Sequence, residues 1–121
     1  MESDVVVGRH VYANLYEIDE NIANNEELLR NIVIEAAKLA NAKIYDIKSW
    51  KISGKKGGVS VIALIVESHI AIHTWTQYRY ATVDIYTCGE KADPWKALEC
   101  IIKATRPKRY SVYYADRSMI V

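Results

Sequence analysis

Four side chains capable of chemistry, Ser68, His69, His73 and Cys88, fall within Gly57–Glu90, a stretch whose other residues are largely apolar and strand-like. Polar groups in such surroundings are costly unless they are paired or used. A hydroxyl or thiol can act as a nucleophile and an imidazole as its base, so the stretch reads as a reactive site. Each residue alone also has a plain structural reading: Ser68 as a strand-end hydroxyl bonded to backbone, Cys88 as a small buried hydrophobe, His73 as a satisfied core histidine. His69 reads as a structural or supporting residue, and Cys100, among aliphatics on an expected helix, as core.

The bounds set by composition are simple. At 121 residues the chain fits one domain, and a domain of this size buries roughly two thirds of the surface its unfolded chain exposes. Sixteen Lys and Arg against 15 Asp and Glu leave a net charge of +1, which excludes a strong global field toward nucleic acid or an anionic membrane. The basic group Lys103, Arg106, Lys108 and Arg109 follows an expected helix and offsets its C-terminal dipole. No apolar run approaches the ~18 residues of a membrane span, and no signal-like start precedes the domain, so a cytoplasmic location is expected. Two cysteines, Cys88 and Cys100, are too few for a thiolate zinc site, and no disulfide framework or metal is expected.

The elements that must carry the site follow from patterning. Val7–Asp19 is rich in β-branched and aromatic residues and predicts a strand ending near Glu17. Asn24 or Asn25 caps a helix in which Leu28, Leu29, Ile32, Ala36, Leu39 and Ala40 recur at helical spacing to about Asn41. Lys43–Ile52 is a strand with imperfect alternation. The loop Ser53–Gly58, SGKKGG, lacks both the full phosphate-loop pattern and a following helix, and reads as a plain hairpin. Val59–Val66 is a short apolar run suited to a strand covered on both faces. His69–Trp75 and Ala81–Thr87 are two further strands joined by Thr76–Tyr80. Asp93 caps a second helix with Pro94 at its first position and Trp95, Leu98, Ile102 and Thr105 on one face. Lys108–Ala115 closes the chain as a strand with Tyr110, Val112 and Tyr114 on one side.

This order predicts an α+β fold, a two-layer sandwich with two helices on one face of a largely antiparallel sheet. Two helices cover only one side. The other carries aliphatics and some of the nine tyrosines, so a homodimer packed sheet to sheet is expected. If Trp75 lies opposite Ala81, Ser68 faces Cys88 with Cβ atoms about 4.5–5.5 Å apart. His73 has the opposite parity from Ser68 and points to the other face.

The runs Glu67-Ser68-His69, Ile72-His73-Thr74-Trp75, Thr87-Cys88-Gly89 and Asp93-Pro94-Trp95-Lys96, with Gly8-Arg9-His10 and Tyr114-Ala115-Asp116-Arg117 at the ends, resemble the small prokaryotic S-adenosylmethionine decarboxylase proenzymes. The resemblance covers almost the whole chain. It implies a self-cleaving enzyme whose cofactor is a pyruvoyl group made from Ser68, with no metal and no pyridoxal phosphate. In such a family the serine hydroxyl attacks the preceding carbonyl, here that of Glu67, and β-elimination then leaves residues 1–67 and 68–121 as two subunits. On the matching positions His73 is the processing base, Ser60 assists processing, and Cys88 donates the proton that replaces carbon dioxide. The pyruvoyl carbonyl takes up the substrate amine as a Schiff base. Trp75 is the residue for stacking on adenine.

The sequence departs from the pattern where substrate would sit. Thr76-Gln77 stands in place of the usual Pro-Glu, whose carboxylate would bond ribose hydroxyls; Gln77 offers an amide without the charge. With no phenylalanine in the chain, an adenine clamp would need Trp75 with Trp50 or a tyrosine. Asp93-Pro94-Trp95-Lys96 inclines the reading toward S-adenosylmethionine, feeding spermidine synthesis. A related pyruvoyl branch decarboxylates arginine to agmatine and is the alternative. Two readings of other classes are a hydrolase or transferase with Cys88 as nucleophile, and a dimeric binding module without catalysis.

Overall fold

Alternation of period two over most of the chain, interrupted by two helical stretches, produces one sheet and its cover. The computed structural model describes residues 5–120. Six strands, β2 (Gly8–Tyr16), β3 (Ile44–Ile52), β4 (Gly58–Ile65), β5 (Ser68–Trp75), β6 (Tyr80–Cys88) and β7 (Arg109–Asp116), form an antiparallel sheet in the order β3-β4-β5-β6-β2-β7. Two short strands, β1 (Val5–Val6) and β8 (Met119–Ile120), pair with each other as a separate antiparallel ribbon.

The odd residues of β2, β4 and β6 and the even ones of β5 face the helices. Val11, Ala13, Leu15, Val59, Val61, Ile70, Ile72, Val83 and Ile85 are all buried there. Against them pack Leu29, Val33 and Ala36 of α2 (Glu26–Leu39) and Ala97, Leu98 and Ile101 of α3 (Pro94–Thr105). The α+β sandwich expected from the sequence is the fold observed. Among the described residues no helix is long and apolar enough to cross a membrane.

Several local expectations are corrected. A third helix, α1 (Glu20–Ala23), is a single turn between the expected strand and the expected helix cap; Asp19 caps it by accepting from Asn21 N at 2.7 Å. Asn25 and Asp93 cap the longer helices as expected, accepting from Leu28 N and Trp95 N, both at 3.0 Å. The buried face of α3 is Pro94, Ala97, Leu98, Ile101 and Thr105, so Trp95 and Ile102 sit off it; Trp95 instead stacks on Tyr114 of the edge strand. β4 is covered on one face only, with Ser60, Ile62 and Leu64 on the side away from the helices.

The β5–β6 register differs by one residue from the expected one. Trp75 pairs with Tyr80, not Ala81, because the turn Thr76–Arg79 has four residues and ends on Arg79 in the left-handed region (φ 51°). Ala81 is then opposite Thr74, both on the buried side.

Candidate active site

The hairpin between β4 and β5 is tight: Ile65 pairs with Ser68, leaving only Val66 and Glu67 in the turn. The Glu67–Ser68 bond therefore lies at a sheet end, accessible rather than buried. Cys88, the last residue of β6, is not opposite Ser68 but pairs with Gly8 on its other side. Its thiol still reaches the bond in question: Sγ donates to the Glu67 carbonyl at 3.2 Å. Ser68, Glu67 and Cys88 line one cavity of about 190 Å³ with Lys43, Asn41 and Ala92. A thiol on that carbonyl draws electron density from its carbon, the change that attack by a neighbouring hydroxyl requires.

His73 and Ser60 form a second group. They pair across β4 and β5, and Ser60 Oγ lies 2.8 Å from His73 Nδ1. The strand is locked there by Thr74, buried, whose hydroxyl accepts from Val59 N at 2.9 Å and donates to the Ala23 carbonyl at 2.6 Å. Gly58 is required at this point, since a Cβ on it would lie 1.8 Å from the Thr74 carbonyl oxygen. His73, Ser60 and Trp75 line a cavity of about 160 Å³ with Lys56. Trp50 is opposite Ser60 on the next strand, and Gln77 lines a neighbouring hollow with Asn24, Lys51 and Gly57.

These two groups are apart. His73 follows Ser68 by five residues on one strand, about 16 Å at 3.3 Å per residue. The strand brings Ser60, His73, Trp75, Trp50 and Gln77 to one end of the sheet and leaves Ser68, Glu67 and Cys88 at the other. The parity difference between Ser68 and His73 also stands, since both are on the same unbroken strand.

Two residues, Asp84 and Tyr86, escaped the sequence reading. Asp84 accepts from both His10 Nε2 (2.7 Å) and His69 Nε2 (2.8 Å) on the face away from the helices. A carboxylate can only accept, so both imidazoles carry their proton on Nε2. Burial pushes the Asp84 carboxyl up, but the two imidazole donors outweigh it and hold the group below the usual carboxylate range. Tyr86 lies opposite both histidines, its ring 5.9 Å from that of His69 and 6.1 Å from that of His10. The signal was the alternation of β6, which puts Asp84, Tyr86 and Cys88 on one face. Cys100 is half-buried on α3, its thiol pushed up by burial, and belongs to neither group.

A family model described as S-adenosylmethionine decarboxylase matches residues 9–118. The chain belongs to the S-adenosylmethionine decarboxylase family. Within this family it is 59% identical over 117 residues to the arginine decarboxylase proenzyme of Hyperthermus butylicus, covering 97% of this chain and 82% of that one. Arginine decarboxylase proenzymes of Aeropyrum pernix and Ignicoccus hospitalis are 54% and 56% identical, each over 95% of this chain and 87% and 80% of theirs. The adenosylmethionine decarboxylase of Aquifex aeolicus superposes on this family member with a TM-score of 0.86 at 29% identity, over 100% of this chain and 96% of that one. A Trypanosoma brucei AdoMetDC monomer shares the fold at a TM-score of 0.57 and 15% identity, covering 86% of this chain and 44% of that one.

Proposed function

We propose that the chain is a self-processing, pyruvoyl-dependent arginine decarboxylase that forms agmatine and acts as a cytoplasmic homodimer. The substrate choice rests on one observation: relatives 54–59% identical are named arginine decarboxylase proenzymes, against 29% identity to an adenosylmethionine decarboxylase. This reverses the preference read from the sequence. The run that tipped it, Asp93-Pro94-Trp95-Lys96, is a helix start whose cap, first proline and Tyr114-stacked tryptophan have structural roles of their own. Thr76-Gln77, without the carboxylate suited to ribose, fits a substrate that has no ribose.

The donor set at the hairpin suits a cofactor made from the chain itself. Ser68 Oγ attacks the Glu67 carbonyl carbon, already polarised by the Cys88 thiol, and the peptide nitrogen leaves to give an ester. A base then takes the Ser68 α-proton, and the Glu67 carboxylate departs by β-elimination. Hydrolysis of the dehydroalanine releases ammonia and leaves the pyruvoyl group. This group supplies a carbonyl that binds an α-amine and accepts the electron pair released with carbon dioxide. Cys88 Sγ, beside the same bond, is the proposed donor of the proton to the product carbon.

The base is the reason for a dimer. His73 of the same chain is about 16 Å away along β5. A two-fold axis in the plane between two sheets stacked on their uncovered faces would set the His73 end of one copy over the Ser68 end of the other, completing two sites at once. The contact of His73 Nδ1 with Ser60 Oγ leaves Nε2 as the ring nitrogen that would act as the base when Nδ1 carries the proton. The test is carbon dioxide release from matured enzyme given arginine or S-adenosylmethionine separately. Release from arginine is expected, and release from S-adenosylmethionine alone would overturn the assignment.

A further inference from the structure

Cys88 ends its strand at a corner where little would fix a thiol. Tyr86, two residues earlier and on the same face, points its phenol oxygen at this corner. The space is made by Gly8, since a Cβ there would come 3.0 Å from the Tyr86 hydroxyl and 2.7 Å from the Arg117 carbonyl oxygen. Arg117 is held in turn, its N–H donating to the Gly8 carbonyl at 2.8 Å while Gly8 N donates to Ser118 Oγ at 3.0 Å. Its guanidinium lies 4.9 Å from the centre of the Tyr86 ring. On the other side His10 and His69 flank the ring, and Asp84 fixes both imidazoles. The ring is thus bracketed by two histidines on one carboxylate and lidded by an arginine.

Resting on the decarboxylase reading, we propose that Tyr86 is a positioning residue whose hydroxyl donates to the Cys88 sulfur and holds the thiol on the Glu67–Ser68 bond. The chain of donors is then Tyr86 O–H to sulfur and sulfur S–H to the Glu67 carbonyl. The thiol beside it raises the Tyr86 hydroxyl above the usual phenol range, and a phenol, protonated near neutral pH in any case, is available as a donor. When Cys88 gives its proton to the product carbon, the sulfur keeps the electron pair as a thiolate. The phenol O–H bonds that thiolate until water reprotonates it. A hydrogen bond to a charged acceptor is stronger than one to a neutral acceptor, so the phenol favours proton release. The charged and titratable groups facing this corner are Glu67, Lys43, Arg117 and, across the Tyr86 ring, His69 and His10.

The test compares full-length wild-type protein with Tyr86→Phe, which keeps the ring in its bracket and removes only the hydroxyl. Iodoacetamide labelling is followed against pH, with peptide masses separating Cys88 from Cys100. In Tyr86→Phe the labelling curve of Cys88 should move to higher pH, with a rate near neutrality lower by roughly tenfold, one pH unit of thiolate population. Cys100, on α3 and outside the bracket, should label as before. Asp84→Asn, which loosens the bracket and leaves the phenol, should move Cys88 in the same direction by less. An unchanged Cys88 curve, or one that moves together with that of Cys100, overturns the proposal. The measurement needs neither cleavage nor turnover, so a chain that never cuts itself would refute the pyruvoyl reading while leaving this result intact.

Discussion

The two ends of β5 are built on opposite plans. At the His73 end the backbone is pinned: Gly58 lets β4 close on Thr74, and Thr74 spends its hydroxyl on two buried main-chain groups. His73, the proposed base, inherits a fixed position beside it. At the Ser68 end the bond proposed to be cut sits at a two-residue turn, touched by a thiol from the next strand. On the proposed function, one end must hold still to receive a proton and the other must change its covalent structure. A single chain holds both plans about 16 Å apart, and in the proposed two-fold pair they would meet.

The strongest way to break this comparison is genetic mixing. Ser68→Ala and His73→Ala should each give a single uncut chain and no decarboxylation. Co-expressed, they should restore cutting of the His73→Ala chain, in up to roughly half its copies if the two associate at random. No rescued fragment on a denaturing gel would mean that the base acts within its own chain. Next in size, Gly58→Ala forces a Cβ onto the Thr74 carbonyl and should cost about 1–3 kcal/mol in urea unfolding, with slowed cleavage. Equal cleavage rates would show that the pinning is irrelevant to the base.

A smaller effect is expected from pH. The Asp84 carboxyl is held below its unfolded value, so its contribution to stability is complete above about pH 4 and disappears as pH falls through the folded value. Melting curves should therefore show wild type losing more stability than Asp84→Asn on acidification, and parallel losses would remove the His10–Asp84–His69 bracket from the account. Least of all, Glu99→Gln breaks only the exposed pair with Lys103 on α3, far from both ends of β5, and should leave melting and cleavage unchanged. A change in cleavage there would show that the process is not confined to the sheet.

Much of the fold was legible because its signals are local. The caps Asn25 and Asp93, Pro94 and the apolar spacing of α2 depend on neighbours within a few residues. The register of β5 on β6 was missed by one because it depends on Arg79 adopting positive φ, which nothing in that residue type announces. The face of α3 was misjudged because Trp95, the largest side chain in the window, found a partner on the edge strand instead of the core. Ser68, Cys88 and His73 were legible as chemistry but not as neighbours. The separation of His73 from Ser68 follows from strand length and could have been computed; the reach of Cys88 to Glu67 depends on side-chain direction at a strand end and could not. Asp84 and Tyr86 were hidden among strand residues, where an acid bonded by two histidines from different strands leaves no spacing to find.

The strand order has a consequence for the matured protein. Strand β2, from the first of the two proposed pieces, is inserted between β6 and β7 of the second. A cut at Glu67–Ser68 therefore yields halves that are woven through one another, and neither can drift away without dismantling the shared sheet. Once unravelled, they would have to find each other again as two molecules, a concentration-dependent search that the newly made single polypeptide never faced. Maturation would then work as a ratchet: the precursor folds first, and the finished enzyme keeps a shape it cannot readily regain.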